Sequence, residues 1–530
     1  MNLYHDPHRN LLVYRTDDPG RILTNVEEAR QVNGHHVAVP VSLYNLQLLR
    51  WLDLPVVPVM ASYGWPHAPG ITPLEHQKLG ANFMVLHPRC FNLSDMGTMK
   101  TLTTLWAADY IMDQYPKGEC RGLIVAPLSI LQRVWGDAIF KHFLGKRTYQ
   151  IIHGSAGARS EKLGKSADFY IINFDGLGVG AKTKRKFELD GLSAAIRDRG
   201  DIRIAIVDEC RAYADSTTKR HRIARLLLGQ RDYLWMLTGS PTPNGPLDAY
   251  GQAKLLNNAF GESYGGYQNR TMMKVTQFKW VPRQGANKAA RELLTPAIRF
   301  DIKDVWNGPA MTVQQRQVDL TADQRKAMNE LKRQCQVMVK SGPIGIANEA
   351  AARTKYIQIS GGAIYDNEHK YHVIDSAPRL AECEEIIRQT TRKVLCFVPL
   401  TSVLLVLCKH LSKKYSCGVL NGDVSPKDRA ETIRRFASEE HPRIMLADPQ
   451  TTAHGINEFV VADTVIWYLP TDKTELYLQG NKRAHRPGQK YPVSIVQLVS
   501  NELEREIFRR LESNEGLQGV LLDMVKENRI

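Results

Sequence analysis

A lysine and a threonine stand at the start of a predicted helix in the segment NLSDMGTMKTLTTL, directly after an apolar strand pattern. Backbone N–H groups at a helix start lack partners within the helix and, together with the helix dipole, attract phosphate. Gly97 permits a tight turn. We expect Lys100 to contact the β- and γ-phosphates of a nucleotide and the Thr101 hydroxyl to be an Mg²⁺ ligand. A polar surface turn that contains Lys-Thr by chance is the alternative interpretation.

Two adjacent acids end a second apolar strand pattern, in IRIAIVDECRAY. Asp208 is suited to hold Mg²⁺ through water and Glu209 to orient and deprotonate an attacking water, the division of labour that in-line phosphoryl transfer needs. An isolated Asp-Glu pair is more often a solvated strand end. Here the pair follows a phosphate-loop pattern, and this order favours a site for ATP and Mg²⁺.

The phosphate-loop pattern departs from its usual form in one position. Met99 stands immediately before the lysine, where the pattern has glycine. A side chain is therefore present where backbone usually approaches phosphate closely. Either the loop turns this side chain away from the nucleotide, or hydrolysis is weakened.

Short apolar runs alternate with helix patterns in two stretches of the chain, which predicts parallel sheets covered by helices. GLIVAP, DFYIINF and YLWMLTG belong to the first stretch, and KVLCFVP, RIMLAD and VSIVQLV to the second. We predict an α/β fold with two lobes, at residues 69–256 and 374–530. Residues 1–68 are predicted as an N-terminal accessory domain, and residues 257–373 as an insertion and helical connector containing a capping box at Thr321 and Gln324.

Size and charge agree with a large nucleic-acid-binding protein. A chain of 530 residues is too long for one ordinary core. The 70 Lys and Arg residues exceed the 55 Asp and Glu residues, and the net charge of +15 favours a polyanionic partner, such as nucleic acid, or an anionic surface. The eight cysteines lack the spacing of a zinc site. No apolar run resembles a membrane span or a signal peptide, so we expect a cytoplasmic protein, in the host cytoplasm if it is viral, with no membrane partner.

Taken in order, these segments resemble the Swi/Snf branch of the superfamily 2 helicases from Thr72 to Leu498. TPLEHQKLGANFM resembles the family's adenine-reading segment, and NLSDMGTMKT its phosphate loop. The resemblance implies two RecA-like lobes, with Gln77 hydrogen-bonded to the base. It implies that the loop residues bind ATP, and these are Asp95, Met96, Gly97, Thr98, Met99, Lys100 and Thr101.

Other segments of the first lobe resemble those that couple nucleotide to nucleic acid. VDECRAY stands in for the DEAH-like box, with Arg211 in place of the usual histidine, and LTGSPTPN implies that Thr238 is a coupling residue. IVAPLSILQRVW and FYIINFDGL resemble segments that line the nucleic-acid track. The implied nucleic-acid contacts, including one from the second lobe, are Pro127, Leu128, Ser129, Asn173, Ser240 and Thr451.

The second lobe carries the most specific part of the resemblance. QGNKRAHRPGQK reproduces the family signature Gln-x-x-x-Arg-x-x-Arg-x-Gly-Gln. It implies that Arg483 and Arg486 reach the γ-phosphate with Gln479 in support. A solvated Arg-rich helix end is the alternative. ADPQTTAHGINEF resembles the fifth motif and implies a nucleotide contact at Gly455, although its Ala-His-Gly is more similar to compact phage and bacterial helicases.

The resemblance implies an ATP-dependent translocase or helicase that acts on DNA, in duplex or forked form, in phage replication, recombination or fork remodelling. Further basic contacts are expected in TKRKF at residues 183–187 and around Arg270, Lys274 and Lys279. We expect a monomer that works with replication or recombination proteins. Two alternatives stay open: a nucleic-acid-binding scaffold with an impaired nucleotide site, suggested by Met99 and Arg211, and an RNA-directed helicase.

Overall fold

The computed structural model describes residues 2–6, 9–181, 188–275, 280–340, 346–365, 370–452, 456–513 and 524. The chain forms two compact units, Met1–Val305 and Trp306–Ile530. Each unit is built on its own parallel sheet. The predicted α/β fold with two parallel-sheet lobes is therefore confirmed.

The first unit begins with a small antiparallel sheet of strand order β1-β2-β4-β3. Alternating residues of β2, among them Leu12 and Tyr14, are fully buried beneath it, as expected for a sheet with one solvated face. The second helix, α2, begins after Ser42, whose side chain accepts a hydrogen bond from the Asn45 N–H. The elements are β1 (Asn2–Asp6), β2 (Leu11–Arg15), α1 (Gly20–Leu23), β3 (Arg30–Asn33), β4 (His36–Pro40) and α2 (Leu43–Trp51).

The main sheet of the first unit has seven parallel strands in the order β13-β5-β10-β9-β6-β8-β7. A separate antiparallel pair is formed by β11 and β12. The strands are β5 (Arg89–Asn92), β6 (Arg121–Ala126), β7 (Tyr149–Ile152), β8 (Phe169–Asn173), β9 (Ile202–Asp208), β10 (Tyr233–Leu237), β11 (Met272–Lys274), β12 (Trp280–Pro282) and β13 (Ala297–Ile298).

Both faces of this sheet are covered. Along β9, Ala205 and Val207 join one apolar core, whereas Ile204 and Ile206 join a second core on the opposite face. Burial on both faces explains why these strands read as continuous apolar runs. The helices are α3 (Glu75–Leu86), α4 (Lys100–Met112), α5 (Asp137–His142), α6 (Ala156–Gly164), α7 (Gly191–Asp198), α8 (Lys219–Leu228), α9 (Asp248–Leu256), α10 (Tyr264–Thr271), α11 (Ala286–Leu293) and α12 (Ile302–Val305).

The second unit has a six-stranded parallel sheet of order β14-β21-β20-β17-β19-β18 and a small antiparallel pair, β15 and β16. One large apolar core fills it. The strands are β14 (Met311–Gln317), β15 (Ala363–Tyr365), β16 (Tyr371–Val373), β17 (Lys393–Phe397), β18 (Cys417–Leu420), β19 (Ile444–Ala447), β20 (Ala462–Trp467) and β21 (Val493–Val499). The helices are α13 (Ala322–Lys340), α14 (Ile346–Gly361), α15 (Ala377–Arg388), α16 (Thr401–Leu411), α17 (Pro426–Ser438), α18 (Pro449–Thr452), α19 (Thr474–Ala484) and α20 (Glu502–Glu512).

The segment between the two predicted lobes is shared by the two units. Residues 257–305 belong to the first unit, where β13 pairs with β5 at the sheet edge. Residues 306–373 belong to the second unit, where β14 pairs with β21. The capping box before α13 is present, since the Thr321 N–H donates to Gln324 Oε1 at 3.0 Å and the Gln324 N–H donates to Thr321 Oγ1 at 3.3 Å. The four-segment division at residues 68, 256 and 373 stays a prediction.

Candidate functional site

The predicted phosphate loop joins β5 to α4 and turns through two residues in left-handed conformation. Gly97 has a φ of 89°, and Met99, the N-cap of α4, has a φ of 58°. For a residue with a side chain, that conformation costs roughly 1 kcal/mol. The Met99 side chain is 40% exposed, so it is not packed beneath the loop. Lys100 and Thr101 follow as the first two residues of the helix.

Lys100 lies against the loop's own backbone. Its Nζ donates to the carbonyl oxygen of Ser94 at 2.6 Å and to that of Asp95 at 2.9 Å. The Thr98 hydroxyl also donates to the Asp95 carbonyl oxygen, at 2.8 Å. Two donor groups of the predicted phosphate-binding residues thus make three hydrogen bonds to the backbone of one short turn.

The loop is also contacted by residues near the C-terminal end of the first unit. The Asp95 N–H donates to the Phe300 carbonyl oxygen at 2.9 Å, and the Ile302 N–H donates to Asp95 Oδ2 at 3.3 Å. Arg299 forms an ion pair with Asp95 at 3.6 Å. The chain that continues from β13 therefore fixes Asp95, an arrangement that no pattern in the sequence indicated.

Gln77, the predicted base-reading residue, is fully buried in the first turn of α3. Its Oε1 accepts a hydrogen bond from the Leu74 N–H at 2.9 Å, while its Nε2 is buried without a partner. A buried amide donor without a partner is costly unless a ligand supplies an acceptor. The neighbouring His76 contacts the Thr98 carbonyl oxygen through Nε2 at 3.1 Å, so this helix end is tied to the phosphate loop. These residues fit an adenine nucleotide.

The two acids end β9 at the same edge of the sheet as the phosphate loop. In register across three neighbouring strands, Asn92 of β5 pairs with Leu237 of β10, which pairs with Asp208 of β9. Carboxyl ends of parallel strands share one sheet edge, so Lys100 and the acid pair come to the same side of the first unit. The prediction that they form one site stays a prediction, and this register supports it.

Asp208 is held by two hydrogen bonds. The Trp135 indole N–H donates to its Oδ2 at 2.9 Å, and the Glu209 N–H donates to its Oδ1 at 3.0 Å. Burial, and then the neighbouring Glu209 carboxylate, raise the pKa of Asp208 to about 7, while the Trp135 hydrogen bond and the Lys100 ammonium act in the opposite direction. A carboxyl in this state readily ionises when a cation approaches.

Glu209 and Thr238 connect the acids to the next strand. Glu209 is left-handed, with a φ of 55°, and its Oε2 accepts a hydrogen bond from the Thr238 hydroxyl at 3.2 Å. Thr238 Oγ1 also accepts from the Ser240 N–H at 3.2 Å. A side chain at Gly239 would contact Met96 of the phosphate loop at 3.0 Å. Thr238, the predicted coupling residue, therefore contacts Glu209, the predicted general base of hydrolysis, and the chain beside it lies next to the phosphate loop.

Arg211 lies in the short helix Cys210–Tyr213 that follows the acids. Burial lowers its pKa, and the carboxylates of Asp248 and Glu209 oppose that shift. Its charge is therefore close to the acid pair, where the family's usual histidine would stand.

The predicted nucleic-acid contacts of the first unit follow the carboxyl ends of three strands. Pro127, Leu128 and Ser129 follow β6, with Leu128 54% exposed. Asn173 ends β8, and its Oδ1 accepts from Arg159 Nη1 at 3.2 Å. Ser240 follows β10. Trp135 and Arg159 contact two of the predicted site residues, but nothing in their sequence spacing had pointed to either.

In the second unit, the predicted arginine pair lies at the end of α19. Gln479 and Arg483 are buried in that helix. Gln479 Nε2 donates to Glu475 Oε1 at 2.9 Å, and its own Oε1 is buried without a hydrogen-bond partner. Arg486 follows the helix, and its Nη1 donates to Asn457 Oδ1 at 2.6 Å. Burial lowers the pKa of Arg486, and Glu458 acts in the opposite direction.

Thr451 lies in α18 beside the carboxyl edge of the second sheet. Its hydroxyl donates to the carbonyl oxygens of Asp448 at 2.8 Å and Leu420 at 3.1 Å. Gly455, the segment at 183–187 and Lys279 lie outside the described residues. Of the other basic candidates, Arg270 forms an ion pair with Glu262 at 2.7 Å.

In the part of the chain that the structure describes, His, Cys, Asp and Glu residues form no group of three or more that could hold a metal ion. A divalent cation at the acid pair would therefore need oxygen atoms from other side chains or from the nucleotide. The helices within the described ranges include none with the length and apolar character needed to cross a membrane.

Comparison with known proteins gives matches over most of the chain. The SNF2-related domain matches residues 76–364, and the helicase conserved C-terminal domain matches residues 378–488. A protein called "Putative protein p41" from Acyrthosiphon pisum secondary endosymbiont phage 1 is 24% identical over 86% of this chain and 99% of its own length. This relative supports the predicted likeness to phage proteins.

Larger relatives are matched over part of their length. The Xenopus laevis SWI/SNF-related matrix-associated actin-dependent regulator of chromatin subfamily A-like protein 1 is 22% identical over 80% of this chain, which spans 41% of that protein. The solved Sulfolobus solfataricus SWI2/SNF2 ATPase core in complex with dsDNA has 19% identity and a TM-score of 0.39, covering 88% of this chain and 95% of its own. Because the SNF2-related domain alone matches more than half of the residues, the chain belongs to the SNF2-related family and is an ATP-hydrolysing, helicase-like enzyme with a helicase conserved C-terminal domain.

Proposed function

We propose that this enzyme binds ATP with Mg²⁺ at the phosphate loop and couples its hydrolysis to movement along duplex DNA. The observation that carries the proposal is the strand register that aligns Asn92, Leu237 and Asp208. That register brings Lys100, Asp208 and Glu209 to one sheet edge, the usual ligand position in open parallel sheets.

Each residue of the first unit has a distinct task in this proposal. Gln77 donates its unpartnered Nε2 to a ring nitrogen of adenine. Lys100 leaves the carbonyl oxygens of Ser94 and Asp95 and pairs with the phosphates. Glu209 accepts a proton from the attacking water while the Thr238 hydroxyl holds its carboxylate in place.

Mg²⁺, when bound, neutralises charge on the β- and γ-phosphates and orients them for in-line attack. The Thr101 hydroxyl and the Asp208 carboxylate would hold it, because both are oxygen ligands of the kind that Mg²⁺ prefers. Asp208 would hold the ion as the carboxylate, with any proton released to solvent, and the hydrogen bond from Trp135 keeps the carboxylate in a fixed orientation.

The second unit contributes positive charge. Arg483 and Arg486 stabilise the charge that develops on the transferred phosphoryl group, and Gln479 supports them. Because these residues come from a different unit than Lys100, the proposed hydrolysis requires residues of both units. As nucleotide binds and is released, one set of nucleic-acid contacts would move relative to the other.

We assign contacts with the sugar-phosphate backbone of the nucleic acid to six residues, which are Pro127, Leu128, Ser129, Asn173, Ser240 and Thr451. Contacts of this kind go to sugar and phosphate and carry little sequence information. The net charge of +15 supports a polyanionic track. As part of the same proposal, the enzyme acts in phage replication, recombination or fork remodelling.

One experiment tests the function directly. Phosphate release is measured with no nucleic acid, single-stranded DNA, duplex DNA, forked DNA and duplex RNA, for the wild type and for Glu209→Gln. We expect stimulation by duplex DNA, and a loss of about 10²-fold or more in Glu209→Gln with ATP binding retained, since the general base alone is removed. Stronger stimulation by RNA than by matched DNA would replace the DNA assignment with an RNA-directed motor.

A second candidate function is a nucleic-acid-binding scaffold with an impaired nucleotide site. It is favoured by the strained Met99 at the phosphate loop and by Arg211 beside the acid pair. In that case the wild type would bind DNA in a salt-sensitive manner, without turnover under any of the five conditions.

A further inference from the structure

Trp135 lies in a rare type of helix directly after the proposed nucleic-acid contacts. The chain leaves β6, forms the short helix Leu128–Ile130, and continues without a break into the π-helix Leu131–Gly136 and then into α5. Single π-helical turns are uncommon and occur often at functional sites. Trp135 is the fifth of the six residues of this π-helix.

The indole is fully buried and its N–H donates to Asp208 Oδ2 at 2.9 Å. The other Asp208 oxygen accepts a hydrogen bond from the Glu209 backbone N–H. Among the described residues, Trp135 is therefore the side chain that donates a hydrogen bond to this carboxylate. A buried tryptophan that serves only for packing needs a partner for its N–H, but a backbone carbonyl satisfies that need. Trp106 and Trp235 in the same unit donate to the carbonyl oxygens of Pro66 and His87.

The helical run is also attached to the strands beside it. Gln132 Nε2 donates to the Tyr149 hydroxyl of β7 at 3.0 Å and to Asp137 Oδ1 at 2.8 Å. The Ile130 N–H donates to the Pro127 carbonyl oxygen at 3.1 Å. Pro127, Ser129 and Trp135 thus lie in one continuous run of short helices that begins at the end of β6 and is hydrogen-bonded to β7.

We propose that Trp135 is a positioning residue that links the nucleic-acid contact at Pro127–Ser129 to the carboxylate of Asp208. Nucleic acid held at that segment sets the position of the indole, and the indole N–H orients Asp208 for cation binding. This inference rests on the proposed function and extends it, because it assigns the route by which nucleic acid stimulates hydrolysis.

The test compares two tryptophan variants that each lose one buried indole hydrogen bond. Trp135→Phe loses the bond to Asp208, and Trp106→Phe, the matched control, loses a bond of 2.7 Å to a backbone carbonyl. ATPase rates are measured with and without duplex DNA over a range of Mg²⁺ concentrations, together with DNA affinity and melting temperature. For Trp135→Phe we expect the ratio of DNA-stimulated to unstimulated rate to fall by about fivefold or more. We also expect the Mg²⁺ concentration for half-maximal rate to rise, with DNA affinity unchanged.

Trp106→Phe should retain both the stimulation ratio and the Mg²⁺ requirement. Equal ratios in the two variants, or a proportional loss of both rates in Trp135→Phe with an unchanged Mg²⁺ requirement, would overturn the inference. If Trp135→Phe fails to fold, Trp135→3-benzothienylalanine keeps the two-ring shape and removes only the N–H, and the same outcomes apply. A wild type without ATPase activity under any condition would instead overturn the proposed function.

Discussion

Met99 is the residue at which the phosphate loop departs most from its family. Its left-handed backbone is one that glycine adopts without cost, whereas a side chain is strained there. Relief of that strain by glycine is offset by the greater freedom of glycine in the unfolded chain.

We therefore expect Met99→Gly to change the free energy of unfolding by less than about 1 kcal/mol and to lower the KM for ATP, since backbone could then approach phosphate closely. Met99→Val is the control, because a β-branched residue is most strained in this conformation and should destabilise the first unit. Steady-state kinetics and thermal melting measure both effects. Identical KM values for the wild type and Met99→Gly would mean that the loop already turns the methionine away from the nucleotide.

Asp208 illustrates a cost in stability that the proposed chemistry imposes. Its folded-state pKa of about 7 lies above the usual value for aspartate. Between about pH 4 and 7 the unfolded carboxyl is ionised while the folded one retains its proton, so folding takes up a proton and stability falls as pH rises. Above about pH 7 both states are ionised and the full penalty applies.

Asp208→Asn should therefore be more stable than the wild type at pH 8, by about 1 to 3 kcal/mol, with the difference shrinking towards pH 5. Asparagine has one acceptor oxygen, so it keeps only one of the hydrogen bonds from Trp135 and Glu209, and this loss offsets part of the gain. Melting temperatures of both proteins, measured in EDTA across this pH range, check the prediction. Asp175→Asn, at an exposed ion pair with Arg220, is the control and should show little difference at any pH. A difference in melting temperature between the wild type and Asp208→Asn that stays constant across the pH range would contradict the explanation.

At the scale of elements, the parallel strands were the most predictable part. YLWMLTG and TVIWYLP became β10 and β20 because both faces of a parallel sheet are buried and the strands must be apolar throughout. The capping box at Thr321 was also predictable, because its geometry depends only on residues three apart. These features depend on local sequence.

Elements that depend on distant contacts left no such signal. The two-residue strand β13 is too short to show a period, and it exists because β5 offers an open edge for Ala297 and Ile298. The π-helix before α5 likewise reads as an ordinary helix in sequence, so the contact between Trp135 and Asp208 could not be anticipated. The candidate site residues could be predicted from the order of the motifs in the sequence. The residues that support them, such as Trp135, could be identified only from the fold.

At the scale of the whole molecule, the proposed reaction needs charges from both units. Arg486 follows α19 in the second unit and is anchored there by Asn457, so its removal should leave the first unit intact. Arg486→Ala should lower kcat by about 10³-fold or more, as for other arginines that stabilise phosphoryl transfer. Its ATP affinity should stay near that of the wild type.

Single-turnover hydrolysis and ATP binding separate these two effects. Lys490→Ala, at an exposed position of the same segment, should behave as the wild type. A variant Arg486→Ala with normal kcat would mean that the first unit hydrolyses ATP without this arginine, and the requirement for both units would have to be dropped.

The attachment of Asp95 to the chain that follows β13 has a mechanical consequence. The Phe300 carbonyl oxygen accepts from the Asp95 N–H, and the Ile302 N–H donates to the Asp95 carboxylate. The second unit begins at Trp306, only a few residues later. Any rearrangement of Asp95 on nucleotide binding must either break those bonds or pull on the short stretch between Ile302 and Trp306. The chain segment that leads from the first unit into the second is thereby hydrogen-bonded to the predicted phosphate loop.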